Sequence, residues 1–238
     1  MAKIAFTPKP EALDEVRDWP IYSLSEIAYF LDIPKATLHG WSRSYTRHGR
    51  EYAPLIQPAR VESSFYSFFN LAEAHILSHT LRFHGLKIGA VRRAAEEMRK
   101  RESVIVSHPL LSREFLTDGK YLFIQYLENR TKQTENVSLG GQLGLTAILD
   151  SYLERVEWDE AWRPKKIYPA GQQGKIIAIM PTVSSGRPVI DGTGIPVASI
   201  WNRHRAGDSV ECLADDYEIP EIQIEGAIRY IEHLTKAA

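Results

Sequence analysis

The chain has 238 residues, 29 Lys and Arg against 30 Asp and Glu, and is 44% hydrophobic and 25% charged, which is the composition of a folded globular protein of one or two domains. That balance excludes a disordered chain and a uniformly basic nucleic-acid coat, while leaving room for a local basic patch. A single cysteine, Cys212, excludes an internal disulfide and any zinc-finger framework.

The first twenty residues are mixed and Pro-rich and read as a loosely held arm. Ser23-Leu24-Ser25-Glu26 then forms a capping box, a serine N-cap with a glutamate three residues on, each satisfying the other's free backbone donors. Leu24, Ile27, Ala28 and Leu31 follow at helical spacing, and the helix is expected to stop near Asp32. Pro34 suits the first turn of a second helix, which buries Leu38 and Trp41 and turns Lys35, Thr37, His39 and Arg43 outward. Two short helices joined by a tight turn fit a helix-turn-helix, and equally a plain helical hairpin with a solvated polar face.

Residues 54–60 and 64–68 read as two short strands of a wing. Asn70 is expected to cap a helix over 71–84, with Gly85 as its left-handed stop. A further helix over 87–101 carries Ile88, Val91, Ala94, Ala95 and Met98 on one side and charge on the other. Residues 103–165 read as a small β-containing connector, with a strand at 104–106, a hairpin about Asp118-Gly119 and a helix over 145–156. Residues 163–174 read as a linker.

A strand over 175–179 opens the last segment, and Asp191-Gly192 places a hairpin turn between short apolar runs. Three helices follow. One runs over 198–205 and ends at Gly207, and one is capped by Asp208 with Glu211 completing a capping box. The last opens at Pro220 and buries Ile224, Ala227, Ile228 and Ile231. The fold class expected is α+β, mainly α: a winged helix-turn-helix over 1–102, a connector over 103–170, and a small β-hairpin with a helix-turn-helix-like helical domain over 171–238.

Charge is unevenly spread along this frame. From 35 to 60, five basic residues (Lys35, Arg43, Arg47, Arg50, Arg60) face Glu51 alone, a formal balance of +4. From 208 to 232 eight carboxylates face only Arg229, a balance of −7. One basic and one acidic segment on a neutral chain point to two partners of different chemistry.

Ser23 to Ala28, Ile33 to Leu38, Trp41 and the Pro58-Ala59-Arg60 step together resemble the winged helix-turn-helix of MerR-type bacterial regulators, over about residues 21–100. Tyr66 stands where that family places an arginine, and no long C-terminal coiled coil with effector-binding cysteines follows. The resemblance therefore does not extend to a metal- or drug-sensing activator. It implies that the second helix enters the major groove of operator DNA, with Lys35, Thr37 and His39 reading bases and Arg43, Arg47, Arg50 and Arg60 meeting phosphates.

Residues 186–197, Gly-Arg-Pro-Val-Ile-Asp-Gly-Thr-Gly-Ile-Pro-Val, resemble the hallmark of a small bacterial domain of unknown function, with Gly194 where arginine is usual. Such domains commonly occur in antitoxins, and a MerR-like front end on this domain is similar to the larger VapB-type antitoxins. The resemblance implies an antitoxin that neutralises a PIN-like ribonuclease toxin encoded nearby and represses its own operon. It also implies a homodimer on pseudo-palindromic DNA, or a higher toxin–antitoxin hetero-oligomer, with half-sites about 34 Å apart. An arginine inserted among the toxin's metal-holding carboxylates is the contact to expect, with Arg187 first and Arg203, Arg205 and Arg229 as alternatives. A stand-alone regulator with a ligand pocket in the connector is the competing reading.

Catalytic and metal sets are not legible. His75 and His79 share a helix face, but the run His75-Ile-Leu-Ser-His79 lacks the intervening glutamate of a metalloprotease. Residues 140–144 are a glycine-rich turn without the lysine of a phosphate loop, and the adjacent Asp215 and Asp216 point apart on a helix. Cys212 reads as a small core residue. No enzyme activity, cofactor or metal is expected. With no apolar signal core at the start and no apolar run near the roughly 18 residues that span a bilayer, a cytoplasmic protein without membrane association is expected.

Overall fold

The computed structural model describes residues 10–47, 49–60, 62, 64–84, 88–89, 91–92, 95–96, 108–111, 155–169 and 174–236. These residues form a mixed α/β structure, about half helical, in which the strands make only two-stranded antiparallel sheets. The predicted strand at 104–106, the hairpin about Asp118-Gly119 and most of the helix expected over 145–156 lie outside the described residues. So do Gly85, Ala94 and Met98.

Of the arm expected over the first twenty residues, the described part from Pro10 on is tied down rather than loose. Helix α1 (Pro10–Asp18) packs on α4, and its Arg17 is only 4% exposed. Arg17 is held by Asp14 at 3.0 Å and by Asp159 at 2.8 Å. One of its carboxylates, Asp14, lies one turn back on the same helix, but the other, Asp159, is distant in the chain and could not be read from the local composition.

Strand β1 (Tyr22–Ser23) leads into α2 (Leu24–Phe30) and α3 (Lys35–Trp41). The capping box at Ser23 forms as expected: the Ser23 amide donates to Glu26 Oε2 at 2.8 Å, and the Glu26 amide donates to Ser23 Oγ at 3.2 Å. Leu38 and Trp41 are buried at 0% and 4% exposure. At roughly 1.5–3 kcal/mol for each large apolar side chain, these two anchor a helix of barely two turns that would not persist alone. Pro34 is the N-cap of α3, one position earlier than expected, and its carbonyl accepts from the amides of Thr37 and Leu38.

The strands after α3 differ from the expectation. The hairpin is made by β2 (Tyr45–Arg47) and β3 (Arg50–Tyr52), where Tyr45 and Tyr52 stack with ring centres 5.0 Å apart. Between the two segments expected as wing strands, only Arg60 and Phe65 pair, as an isolated bridge. β4 (Phe65–Tyr66) instead pairs with β1, setting Tyr22 opposite Tyr66. Residues 54–58 are drawn into the core: Leu55 and Ile56 are buried, and their amides donate to the Trp41 carbonyl. Burial against α3 outweighs strand pattern there.

Helix α4 (Phe68–His84) starts three residues earlier than predicted. Ser67 is its cap, with Oγ accepting from the Asn70 amide at 3.3 Å, while Asn70 Oδ1 accepts from the amides of Ser67 and Ala59, each at 3.1 Å. Asn70 thus works at the third helical position of a capping box rather than as the cap. Its amide nitrogen donates to the Gln57 carbonyl at 2.9 Å, so one buried side chain ties the preceding loop to the helix. His75 is buried at 3%, and burial, with the Arg155 charge, pushes its imidazole down to about 4. His108, immediately before the 3₁₀ turn of Pro109–Leu111, bridges Glu73 (3.1 Å) and Asp18 (3.2 Å). Burial opposes its charge, but those two carboxylates outweigh that and raise it to about 9.

Part of the expected linker is a strand. β5 (Val156–Trp158) and β6 (Pro164–Ile167) form a hairpin with Val156 and Ile167 in the larger core. Ile167 also exchanges both backbone bonds with Ile179, at 3.0 and 2.8 Å, which links this hairpin to the C-terminal segment.

That segment is a second core. β7 (Ile177–Ala178) pairs with β8 (Val189–Ile190), and the Asp191-Gly192 turn closes a further hairpin in which the Ile190 amide donates to Ile195 at 2.9 Å. Helices α5 (Val197–Ala206), α6 (Val210–Tyr217) and α7 (Glu221–Lys236) then pack around Ile177, Ile190, Ile200, Leu213 and Ile224. Ile224, Ala227, Ile228 and Ile231 are the buried stripe of α7, as expected. Gly207 ends α5 in the left-handed conformation at φ 114°. Ser209, not Asp208, caps α6, because Asp208 is taken by Arg203. Cys212 is exposed rather than in the core, as the stripe of this short helix runs through Leu213 and Ala214. Among the described residues, no helix is long and apolar enough to cross a membrane.

Candidate nucleic-acid and partner interfaces

Burial of Leu38 and Trp41 fixes which side of α3 meets solvent. Lys35, Thr37 and His39 are all exposed there, and Arg43 is exposed just past the C-cap Ser42. Arg47 and Arg50 are partners in the β2–β3 register, the last pair before the turn in which Gly49 adopts φ 74°. Arg60 is exposed, with its backbone in the bridge to Phe65.

What orients the hairpin against α3 is Arg92. This side chain is 3% exposed and donates to the Ala53 carbonyl at 2.6 Å and the Gly40 carbonyl at 3.2 Å, while its guanidinium lies 4.8 Å from the centre of the Tyr45 ring. Its charge therefore supports the hairpin and α3 together. In the sequence it belongs to the helix expected over 87–101, which carries charge on one side, and it directly follows the apolar Val91.

The four C-terminal arginines are dispersed. Arg203 is fixed by Asp208 (2.6 Å) and Asp216 (2.5 Å), and Arg229 by Glu225 one helical turn away (3.4 Å). Arg205 is exposed in the last turn of α5. Arg187 crosses to the other core, where Nη1 bonds Glu26 Oε1 in the first turn of α2.

Arg187 belongs to a group of contacts that all fall on β1, α2 and the following turn. Tyr22, wholly buried, donates its hydroxyl to the Gly186 carbonyl at 2.8 Å. Gly186 adopts φ 74°, and a Cβ there would lie 2.1 Å from Tyr22 Oη, so only glycine fits. Tyr230 of α7 donates to the Phe30 carbonyl at 2.8 Å, and His233 lies 3.4 Å from Asp32. Burial works against the charged form of Glu26, yet the Ser23 amide and hydroxyl and the Arg187 guanidinium hold its carboxyl below the usual range. A cavity of about 760 Å³, lined in part by Glu26, Tyr29, Asp32, Lys35 and Leu234, lies between α2, the start of α3 and the end of α7. The sequence marked Glu26 as a cap alone; nothing local marked it as a partner for a residue 161 positions away.

A second polar cluster joins the β5–β6 hairpin to the C-terminal turn. Lys166 Nζ lies 2.9 Å from Asp191, and the Tyr168 hydroxyl donates to Glu157 at 2.6 Å. Each of these four side chains has a partner within the cluster, which suits a structural tie. Among the described residues, no group of three or more His, Cys, Asp or Glu is arranged to hold a metal.

Residues 177–231 match the family described as "Protein of unknown function (DUF433)", so the segment bearing Gly186 and Arg187 is similar to a domain with no assigned activity. Two relatives from Mycobacterium tuberculosis match nearly the whole chain. One is named "Putative antitoxin VapB45", 25% identical over 228 residues that cover 89% of this chain and 93% of that one. The other is named "Uncharacterized protein Rv2308", 26% identical over 220 residues that cover 90% of each. The X-ray crystal structure of Rv2018 from the same organism superposes with a TM-score of 0.63 at 22% identity, covering 89% of this chain and 98% of that chain, which establishes a shared fold.

Proposed function

We propose that this chain is the antitoxin of a type II toxin–antitoxin pair, a non-enzymatic regulator that neutralises a PIN-like ribonuclease by direct binding and represses its own operon. The observation that carries the reading is the similarity to a protein named as an antitoxin, which runs along about nine-tenths of both chains rather than one module. In this reading residues 1–102 bind DNA, 103–170 connect, and 171–238 engage the toxin.

The α2–α3 pair acts as a helix-turn-helix with α3 in the major groove. Lys35, Thr37 and His39, on its exposed side, meet base edges, while Arg43, Arg47, Arg50 and Arg60 neutralise phosphates. A homodimer places two such helices on successive turns of a pseudo-palindromic operator. The chain and the protein encoded beside it are co-expressed, with co-purification, relief of growth arrest and suppression of metal-dependent RNA cleavage as readouts. A harmless or non-binding neighbour defeats the toxin half. For the DNA half, Lys35→Ala with Arg43→Ala weakens operator binding and lowers the salt slope by about one unit per lost phosphate contact. Unchanged binding would defeat it.

A further inference from the structure

We propose that the Arg187 turn is a docking site for a partner's carboxylate and that Glu26 fills that site in the free chain. The inference rests on the antitoxin reading, which supplies the partner: the metal-holding carboxylates of a nuclease. Of the four arginines considered above, Arg203 and Arg229 are held by carboxylates of their own module, and Arg187 alone reaches a carboxylate of the other.

Three features fit displacement. First, the two oxygens of Glu26 have separate tasks: Oε2 accepts from the Ser23 amide at 2.8 Å and the Ser23 hydroxyl at 2.9 Å, while Oε1 receives Arg187. The cap of α2 therefore survives the loss of Arg187. Second, the turn is held without the ion pair. The Arg187 amide donates to Ser184 at 3.0 Å, the Gly186 amide to Val183 at 2.9 Å, and Tyr22 holds the Gly186 carbonyl. Third, both partners are accessible, with side-chain exposures of 42% for Arg187 and 34% for Glu26. A pair so exposed is screened by solvent and weak, so a clustered, drier set of carboxylates outcompetes it.

One guanidinium cannot serve Glu26 and a partner together, so the internal carboxylate acts as a competitor for the partner's site. Glu26→Gln isolates that role, because glutamine serves equally in a capping box while losing the charge that retains Arg187. Binding of the full chain to the ribonuclease encoded beside it is measured by calorimetry in Mg²⁺, with far-UV circular dichroism as a fold control. Glu26→Gln tightens binding about two- to fivefold, the factor expected from releasing an exposed ion pair. Arg187→Ala weakens it tenfold or more, and Arg187→Lys recovers only part. The double variant Glu26→Gln with Arg187→Ala binds no tighter than Arg187→Ala alone. A purely structural ion pair gives the opposite sign for Glu26→Gln, and unchanged or weaker binding with intact helicity overturns the proposal. So does a complex indifferent to Arg187→Ala. Absence of any complex with both wild type and Glu26→Gln instead defeats the antitoxin reading itself.

Discussion

Gly186→Ala probes the contact that joins the two cores. The new Cβ stands 2.1 Å from Tyr22 Oη and 2.9 Å from Tyr22 Cζ, at a backbone φ of 74°. The left-handed conformation costs a non-glycine residue about 1–2 kcal/mol. Tyr22 has 0% exposure and no space to retreat into, so relieving the overlap costs a further 1–3 kcal/mol or so as overpacking. Displacing its hydroxyl also forfeits the 2.8 Å bond to the Gly186 carbonyl, worth about 1 kcal/mol. Together the loss is about 3–6 kcal/mol, read from urea unfolding followed by tryptophan fluorescence and circular dichroism. Tyr22→Phe removes the atom that clashes worst, so the double variant is expected to be more stable than the sum of the single effects predicts, by about 1 kcal/mol or more. A Gly186→Ala loss below 1 kcal/mol, or strict additivity with Tyr22→Phe, would refute the steric reasoning.

Three further outcomes follow from other buried contacts. His108 is raised to about 9 in the folded chain, so its bridge is fully stabilising below about pH 6.5 and is lost as pH rises towards 9, a change of at most about 3 kcal/mol. Urea midpoints across pH 6–10 follow that decline, and His108→Gln removes it. His75 has the opposite sign: held down to about 4, it stays neutral in the fold and stability falls as pH drops from 6.5 towards 4, a dependence that His75→Phe is expected to flatten. Asn70→Ala removes the partner of the buried Ser67 amide and of the part-buried Ala59 amide and Gln57 carbonyl at once, and is expected to cost about 2–3 kcal/mol by chemical denaturation. A loss near 1 kcal/mol would mean that water replaces those bonds.

Local signals decide the structure where one short stretch carries both partners of an interaction and no third group competes for them. The Ser23–Glu26 capping box, the exposed side of α3 set by Leu38 and Trp41, the stop at Gly207 and the buried stripe of α7 all lie within one or two helical turns, where spacing alone decides which groups meet. The structure departs from local expectation where a second group competes for the same atoms, whether a few residues away or farther along the chain. Asp208 suits a cap but is claimed by Arg203, Asn70 suits a cap but Ser67 precedes it, and residues 54–60 suit a strand but the Trp41 carbonyl takes the Leu55 and Ile56 amides.

The sequence by itself determined which segments are basic, acidic, helical or turning, because those properties are summed over neighbours. Tertiary structure decided which charges are free to meet a partner. Arg92 and Arg17 look like surface cations in the sequence but are buried structural donors, and Arg187 is engaged by Glu26 from 161 residues away. A charge in a folded chain is satisfied by whichever opposite group the packing of apolar cores brings within about 3 Å, and that distance is set by the fold as a whole rather than by any local run of residues.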